Sequence, residues 1–325
     1  MKRAVILTHG SDMDGLGSHA ILVRYLLKQE IKENEIIHYF VEYPEVQEKF
    51  EKLEKEIKNA CDIYVADFNI SELLFDDIFK IIKKLLEKGC RIFWYDHHKW
   101  NEGQLKELQK VAKVVVDHKK CGADLVYEEY MLKDPVSRRL AALGHDYDFF
   151  VRKYPESIKL SLLINTATGK RGKQMHIVNS FVRGEIYKGQ IRKEAEAATA
   201  YFKKEARAAV KKTHTILSKP VTKILQKEDP DLDTSELTHE FFKIDKECEI
   251  LCVWECFDKR NKLSLRRKEG SNIDLSELAK TIPKVAGRGG GGGHAYASGM
   301  VIDDIKSVDE LAGYIIGAMK RVGLI

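Results

Sequence analysis

Acidic side chains and histidines recur directly after apolar, β-branched segments in the first third of this 325-residue sequence. They are His9, Asp12 and Asp14 after the first segment, Asp67 at the end of the third, and Asp96, His97 and His98 at the end of the fourth. If these segments are parallel strands, their carboxyl ends meet at one edge of a sheet, where α/β proteins bind ligands. Carboxylates gathered there repel one another unless a cation lies between them, and oxygen and imidazole ligands suit hard divalent metals. The spacing therefore predicts a metal centre.

Each of these residues also has a purely structural interpretation. Asp12 and Asp14 could cap a following helix, and Asp67 could be an ordinary loop acid. His97 and His98 could be structural histidines with satisfied hydrogen bonds. The same placement at successive strand ends favours the metal centre over several separate structural roles. In an extended turn, Asp12 and Asp14 are two residues apart and would face the same pocket.

The elements that must position these side chains alternate between two patterns. Short segments rich in Val, Ile, Phe or Tyr predict strands, and the amphipathic segments between them predict helices. The predicted strands are 3–8, 35–41, 61–68, 91–95 and 113–116, and the predicted helices include 18–29, 45–58 and 70–88. Strands that alternate with helices are typical of crossover units around a mostly parallel sheet, so the predicted fold class is α/β, a parallel sheet flanked by helices.

The rest of the chain divides into a polar connector and a second unit. A Lys/Glu/Ala-rich stretch from about 174 to 217 contains no proline and predicts one or two linking helices. Strands are then predicted at 240–244, 249–257 and 262–266, and helices after Asp274 and Ser307, each with a Glu three residues later. The predicted domains are 1–165 for metal binding, 166–218 for a helical linker, and 219–325 for a smaller α/β domain.

Several separated motifs resemble those of the DHH phosphoesterases. The triad that names the family matches residues 96–98, and its first motif, Asp-x-Asp-Gly after a strand, matches residues 12–15. The single acid of the second motif matches Asp67. The acid of the fourth motif matches Asp146, with Asp148 as the alternative.

The C-terminal part resembles the DHHA1 domain that one subgroup of this family carries. The DHHA1 signature Gly-Gly-Gly-His-x-x-Ala-x-Gly matches residues 291–299, and an upstream Ser-x-Arg matches residues 264–266. The substrate-binding residues that the resemblance implies are Arg266, Gly291, Gly292, Gly293 and His294. Backbone N–H groups of a glycine-rich turn and a guanidinium group are suited to phosphate. A flexible linker is the structural alternative for the glycine run.

The resemblance implies a centre of two manganese ions, with magnesium or cobalt as alternatives. One ion would be held by His9, Asp12 and Asp67, and the other by Asp14, Asp67, His97 and Asp146, with Asp67 bridging. Paired metals of this kind lower the pKa of a shared water and polarise phosphoryl oxygens. His98 would bind a phosphate oxygen or protonate the leaving group, and Asp96 would orient His97.

These implications predict a manganese-dependent phosphodiesterase or exonuclease that hydrolyses short single-stranded RNA or DNA to 5′-mononucleotides, similar to nanoRNases and archaeal RecJ-like exonucleases. Hydrolysis of cyclic di-AMP or its linear product pApA, or of pAp, is left open as the alternative. A non-catalytic scaffold of the DHH fold is a further alternative, which the full set of acids and histidines disfavours.

The composition excludes several other classes of protein. With 44% hydrophobic and 32% charged residues, the chain is neither disordered nor collagen-like. No apolar run reaches the roughly 18 residues of a membrane span, and six scattered cysteines do not form a secreted disulfide framework. We therefore expect a cytoplasmic protein without a membrane partner. The net charge of +5 permits a polyanionic ligand, and the sequence leaves open whether the protein is a monomer or a homodimer.

Overall fold

The structure, a computed structural model, describes residues 3–229, 232–257 and 260–325. The chain divides into two compact units, Met1–Thr199 and Ala200–Ile325. Within the described ranges, no helix has both the length and the apolar character needed to cross a bilayer.

The first unit is built on a five-stranded sheet in which every neighbouring pair of strands is parallel. Its strands are β1 (Arg3–His9), β2 (Ile36–Val41), β3 (Cys61–Ala66), β4 (Arg91–Asp96) and β5 (Lys113–Val116), in the order β2-β1-β3-β4-β5. All five strands were predicted at these places, and the α/β fold class is confirmed. Strands of a parallel sheet are buried on both faces, which is why they stand out in the sequence as continuous apolar runs.

Helices cover both faces of this sheet. They are α1 (Met13–Lys28), α2 (Val46–Glu56), α3 (Phe75–Glu87), α4 (Glu102–Gln109), α5 (Gly122–Tyr130), α6 (Pro135–Asp148), α7 (Pro155–Ala167), α8 (Arg171–Val182) and α9 (Gly189–Lys211). On β1, Ala4 and Ile6 pack into one core with α1 and α5 to α8, whereas Val5 and Leu7 pack into the other with α2 and α3. Successive side chains of the strand therefore anchor opposite layers of helices.

The strand order places a crevice between the carboxyl ends of β1 and β3. The helices that follow these adjacent strands, α1 and α3, pack on opposite faces of the sheet. Such a switch point is where open α/β sheets bind ligands. His9 ends β1 and Asp67 directly follows β3, so both residues lie at this crevice.

Part of the predicted linker packs into the first unit. Ile177, Val178 and Phe181 of α8 are buried in the same core as α1. The surrounding polar and basic residues hide this narrow apolar stripe in the sequence. The division between the units falls within α9, between Thr199 and Ala200.

The second unit contains a six-stranded mixed sheet. Its strands are β6 (His214–Ser218), β7 (Val221–Lys227), β8 (Ile250–Phe257), β9 (Arg260–Arg267), β10 (Gly290–Gly293) and β11 (Ala297–Asp303), in the order β10-β11-β9-β8-β7-β6. Its helices are α10 (Thr234–Ile244), α11 (Leu275–Ala286) and α12 (Val308–Arg321). Helices α11 and α12 pack on one face of the sheet, and the predicted caps Asp274 and Ser307 begin them.

The predicted strand at 240–244 is wrong, because these residues form the second half of α10. Asp233 caps this helix by accepting a hydrogen bond from Glu236 N at 2.7 Å. Leu237 and Phe241 are fully buried but His239, midway between them, is exposed, which is the pattern of a helix and not of a strand.

Candidate metal centre

The turn after β1 brings the first predicted ligands together. Asp12 caps α1, with Oδ1 accepting from Gly15 N at 2.8 Å and Oδ2 lying 2.8 Å from His9 Nδ1. A Cβ at Gly15 would lie 2.2 Å from the His9 carbonyl oxygen, so only glycine lets the helix begin this close to the strand. Asp14 therefore lies in the first helical turn, and the prediction of an extended turn with both acids on one side is wrong.

His9 and Asp12 form a partly buried ion pair. Burial alone would lower the pKa of His9, but the carboxylates of Asp12, Asp67 and Glu42 outweigh burial and raise that pKa well above its usual value. Burial opposes ionisation of Asp12 as well, yet His9 lowers the pKa of this carboxyl to about 2. Each member of the pair therefore favours the charged form of the other.

Asp14 is held by the N-terminus of α5. Its Oδ2 accepts from Gly122 N at 2.7 Å and its Oδ1 accepts from Ala123 N at 2.6 Å. Burial and neighbouring carboxylates, of which Asp67 contributes most, raise the pKa of Asp14 well above its usual value. A Cβ at Gly122 would lie 2.9 Å from Asp67 Cβ, so glycine is also what lets α5 approach the cluster.

Asp67 is the acid that both halves of the cluster share. Its Oδ1 lies 3.3 Å from His97 Nε2, and its Oδ2 lies 3.7 Å from His9 Nδ1. This Oδ2 is buried and has no hydrogen-bond partner. Burial and the Asp12 carboxylate raise the pKa of Asp67 to about 7, although His9 and His98 act in the opposite direction. Because buried polar atoms are nearly always satisfied, the lone oxygen marks a position for a missing partner.

His97 joins three carboxylates. Its Nε2 lies 3.7 Å from Asp14 Oδ2 and 3.3 Å from Asp67 Oδ1, and its Nδ1 lies 3.6 Å from Asp148 Oδ2. Asp148 is the last residue of α6. Burial raises the pKa of Asp148, and Asp12 adds to this rise while His97 counteracts it. Of the two candidates for the fourth motif, Asp148 is therefore the one that the structure brings to His97.

Asp146, the preferred candidate from the sequence, has a different place. Its Oδ1 accepts from Lys153 N at 2.7 Å, and its Oδ2 accepts from the Ser157 hydroxyl at 2.5 Å and from Tyr154 N at 3.3 Å. These donors satisfy both oxygens, and the side chain is 2% exposed. The structure thus corrects the assignment of Asp146 as a metal ligand, because its carboxylate holds the segment between α6 and α7.

Asp96 pairs with His98 and not with His97, which corrects the predicted orienting role. Its Oδ1 lies 2.7 Å from His98 Nδ1, and its Oδ2 accepts from the Trp100 indole N–H at 2.6 Å. Although burial opposes both effects, this pairing lowers the pKa of Asp96 and raises the pKa of His98. His98 is 34% exposed, so its imidazole, whose cationic form Asp96 favours, stands at the edge of the cluster.

Two further residues border the cluster. Glu42 follows β2 and places Oε2 3.4 Å from His9 Nε2, and its Oε1 is buried without a hydrogen-bond partner. Glu42 was not predicted as a site residue, although its position after a predicted strand is the same signal that identified the other acids. His118, after β5, donates from Nδ1 to the His97 carbonyl at 2.7 Å and so fixes the backbone of the triad.

The donor set fits divalent cations. His9, Asp12 and Asp67 offer ligand atoms within 4.8 Å of one another, and so do Asp67, His97 and His98. Burial, together with repulsion between neighbouring carboxylates, raises the pKa values of Asp14 and Asp67, and a bound cation would relieve this repulsion. Mostly carboxylate donors favour hard ions of the magnesium and manganese type. Because Asp67 belongs to both groups, two cations held here would share it.

In the second unit, the predicted glycine-rich motif forms the hairpin of β10 and β11. A Cβ at Gly291 would lie 2.4 Å from Ala279 O, and a Cβ at Gly293 would lie 2.6 Å from Ser298 Cα. These two glycines are therefore required by packing, and the run is a strand and not a flexible linker.

Gly292 and Gly299 form an uncovered strip of backbone on this hairpin. The two residues pair with each other, and Gly299 pairs in turn with Ser264 of β9. A Cβ at Gly292 would meet nothing within 4 Å, so packing does not require glycine there. The missing side chain leaves the main chain accessible to a ligand.

The two predicted side-chain contacts lie beside this strip. Arg266 of β9 pairs with Ala297 of β11, and burial lowers the pKa of its guanidinium against the effect of nearby acids. His294 is exposed next to the hairpin, and its ring stacks on Tyr296 with 5.7 Å between centroids and 10° between planes. The second unit thus presents a cation, an imidazole and bare backbone on neighbouring strands.

Comparison with known proteins identifies the first unit. Residues 3–144 match the family described as DHH family, N-terminal domain. No curated protein matches the sequence.

Two solved structures share the fold. The pGpG-specific phosphodiesterase PggH of Vibrio cholerae has a TM-score of 0.56 at 12% identity, with 99% of this chain and 99% of that chain covered. RecJ of Thermus thermophilus, in complex with Mg²⁺, has a TM-score of 0.55 at 13% identity, with 98% of this chain covered. The chain spans about half of RecJ, because 50% of that protein is covered. The resemblance of the first unit to the DHH family is confirmed, since residues 3–144 match the N-terminal domain of that family.

Proposed function

We propose that the protein is a divalent-metal-dependent phosphodiesterase that hydrolyses short single-stranded RNA or DNA to 5′-mononucleotides, with Mn²⁺ as the activating ion. The observation that carries this proposal is Asp67, a buried acid shared by two ligand groups, with an oxygen that lacks a partner. Two cations held side by side are a recurring solution to phosphate-ester hydrolysis. The retained acids and histidines argue against a non-catalytic scaffold.

Each side chain of the cluster has a distinct part in this reaction. His9, Asp12 and Asp67 would hold one cation, and Asp14, Asp67, His97 and Asp148 would hold the other. Bound cations supply polarisation of phosphoryl oxygens and a lowered pKa for the attacking water. The N-terminus of α5, through its hydrogen bonds to Asp14, fixes the position of one ligand.

His98 would act on the phosphate itself. Its Nδ1 is paired with Asp96, whose negative charge favours the imidazolium form. An imidazolium at the edge of the cluster can bind a non-bridging oxygen or protonate the departing oxygen. In the second unit, Arg266, His294 and the backbone of Gly291, Gly292 and Gly293 would bind phosphate.

A dinucleotide is the substrate length that the comparisons favour. PggH, described as specific for pGpG, is covered over nearly its full length, whereas half of RecJ has no counterpart in this chain. Short linear oligonucleotides down to the dinucleotide are accordingly the substrates that we test first, with pApA as the dinucleotide probe. Cyclic di-AMP and pAp are the comparators that separate this choice from the alternative phosphodiesterase and phosphatase activities.

Product analysis with end-labelled substrates tests the proposal. We expect Mn²⁺-dependent release of 5′-mononucleotides from dinucleotides and pentanucleotides, with slower turnover of long strands and none in EDTA. Asp14→Asn and Asp67→Asn should abolish release, whereas Asp146→Asn should retain metal binding. The proposal is wrong if metal-loaded protein leaves every linear oligonucleotide intact, and cleavage of cyclic di-AMP or pAp alone would select the alternative.

A further inference from the structure

Three consecutive apolar side chains are exposed between α6 and α7. Phe149, Phe150 and Val151 are 36%, 58% and 53% exposed. Elsewhere in the described ranges, large exposed apolar side chains do not occur consecutively. Isolated apolar residues on a surface need no explanation, but a contiguous group of them indicates a binding surface.

The backbone of this segment is held in an unfavourable conformation. Phe150 has a φ of 53° and Arg152 a φ of 56°, and bulky residues rarely occupy this left-handed region. Asp146 secures the turn, since its carbonyl accepts from Val151 N at 3.0 Å and its Oδ1 accepts from Lys153 N at 2.7 Å. Strain of this kind at non-glycine residues is concentrated at ligand sites.

The exposed rings border the metal centre. Phe149 directly follows Asp148, and its ring centroid lies 6.1 Å from that of His97. On one face the Phe149 ring stacks against His145, with 4.6 Å between centroids and 18° between planes. The stack fixes the Phe149 ring beside the cluster, and Phe150, the next residue, is the more exposed of the two.

Positive charge is interleaved with these rings. The Arg152 guanidinium lies 5.4 Å from the centre of the Phe150 ring, and Lys153 Nζ lies 5.3 Å from that of Tyr154. Aromatic rings alternating with cations are typical of surfaces that bind single-stranded nucleic acids, where rings stack on bases and cations follow the phosphates.

We infer that Phe149 and Phe150, together the aromatic corner, stack against the nucleobase next to the scissile phosphate. This inference rests on the proposed function, because it takes an oligonucleotide as the ligand. Stacking on a ring tolerates every base, so the aromatic corner selects for a nucleoside beside the phosphate and not for one base.

The test combines enzyme variants with substrates that lack one base. Phe150→Leu keeps an apolar side chain but removes the aromatic ring, Phe150→Tyr keeps the ring, and Val151→Ala is the matched control in the same turn. The substrates are pApA and two analogues with an abasic residue on the 5′ or the 3′ side. We expect Phe150→Leu to raise KM for pApA about tenfold with little change in kcat, and Phe150→Tyr and Val151→Ala to resemble the wild type.

The decisive readout is the coupling between ring and base. With one of the two abasic analogues, the wild type should already show the raised KM, and Phe150→Leu should add nothing to it. An equal penalty for Phe150→Leu on pApA and on both analogues, or no penalty on pApA, would overturn the stacking role. A Val151→Ala effect as large as that of Phe150→Leu would do the same.

Binding measured separately keeps this inference distinct from the proposed function. The affinities of pApA and the abasic analogues are measured by calorimetry with Ca²⁺ in place of Mn²⁺. If the wild type binds pApA more tightly than the analogues but never cleaves it, the proposed function fails and the stacking stands. If it binds all three equally, the aromatic corner does not contact a base, whatever the catalytic outcome.

Discussion

Replacing Asp67 by Asn should make the metal-free protein more stable at alkaline pH while removing its response to Mn²⁺. Asp67 is buried between other acids, and its pKa is about 7 instead of the usual 3.8. A shift of one pKa unit corresponds to about 1.4 kcal/mol of free energy. Keeping the Asp67 carboxylate charged therefore costs the folded protein up to about 4 kcal/mol. An amide of the same shape removes that cost.

The sign of the pH dependence follows from the direction of the shift. An acid whose pKa is raised by folding stabilises the folded state when protonated, and this contribution is lost as the pH rises from about 4 to about 7. The wild type should therefore lose stability across this interval relative to Asp67→Asn. The difference between the two proteins should be small at pH 4 and should reach its full value above pH 7, at about 2–4 kcal/mol.

Urea unfolding in EDTA at several pH values, followed by circular dichroism, measures this difference. Asp146→Asn is the matched control, because that buried acid is satisfied by N–H and hydroxyl donors and its loss should destabilise the protein by about 1–3 kcal/mol. Added Mn²⁺ should then stabilise the wild type and Asp146→Asn, but not Asp67→Asn. If Asp67→Asn is less stable than the wild type above pH 7 without metal, Asp67 is a structural acid and the reasoning about the cluster is refuted.

Further substitutions test other parts of the first unit. Asp148→Asn should lower kcat/KM with Mn²⁺ roughly 100-fold or more and weaken Mn²⁺ binding in calorimetry, because it removes a ligand beside His97. Asp134→Ala should cost roughly 3 kcal/mol in urea unfolding at neutral pH, because it breaks a pair with Arg24 at 2.7 Å. Burial opposes this pair, yet Arg24 holds the pKa of Asp134 well below its usual range, so the stabilisation is present above about pH 4 and is lost as the pH falls further. Gly122→Ala should destabilise the protein by about 2 kcal/mol and weaken Mn²⁺ binding, since the new methyl group would displace α5 from the cluster.

Matched controls separate these effects from general damage. Asp134→Asn retains an acceptor for the start of α6 and should be less harmful than Asp134→Ala by about 1 kcal/mol. Gly172→Ala, in α8, adds a methyl group that meets nothing within 4 Å and should leave stability equal or slightly improved. Equal losses for Gly172→Ala and Gly122→Ala would show that the close approach of α5 is not what matters.

The sequence predicted the parallel sheet and most of the cluster because both depend on the same feature. A strand buried on both faces is a continuous apolar run, and a polar residue that ends the run is easily recognised. His9, Asp67 and His97 were found in this way, and the structure brings them together. Glu42 follows the same rule and was missed only because no motif contains it.

The choice between Asp146 and Asp148 could not be made from the sequence. Both residues lie in the last turn of α6, two positions apart, so they point to different sides of the helix. Which side faces His97 depends on how α6 packs on α1 and α5, a tertiary property with no local signal. The left-handed backbone conformation of Phe150 and Arg152 after α6 could not be predicted from the sequence either, because Phe and Arg rarely adopt it.

The strand predicted over residues 240–244, which form part of α10, was wrong for a related reason. Residues 240–244 contain two adjacent phenylalanines and an isoleucine, a composition that strands favour. The cap at Asp233 and the buried pair Leu237 and Phe241 override that preference once the helix packs on its sheet. Short apolar runs are ambiguous in this way whenever the cap lies several residues upstream.

The strand order of the first unit determines when cations can bind during folding. Its proposed ligands come from β1 and the turn after it, from the first turn of α1, from the residues after β3 and β4, and from the end of α6. The site that they would form joins points of the chain more than a hundred residues apart. Such a topology has high contact order, and its ligands converge only after every crossover has been completed. Cation binding should accordingly be a late event in folding. A chain truncated before α6 should not bind the cations even if its first strands have paired.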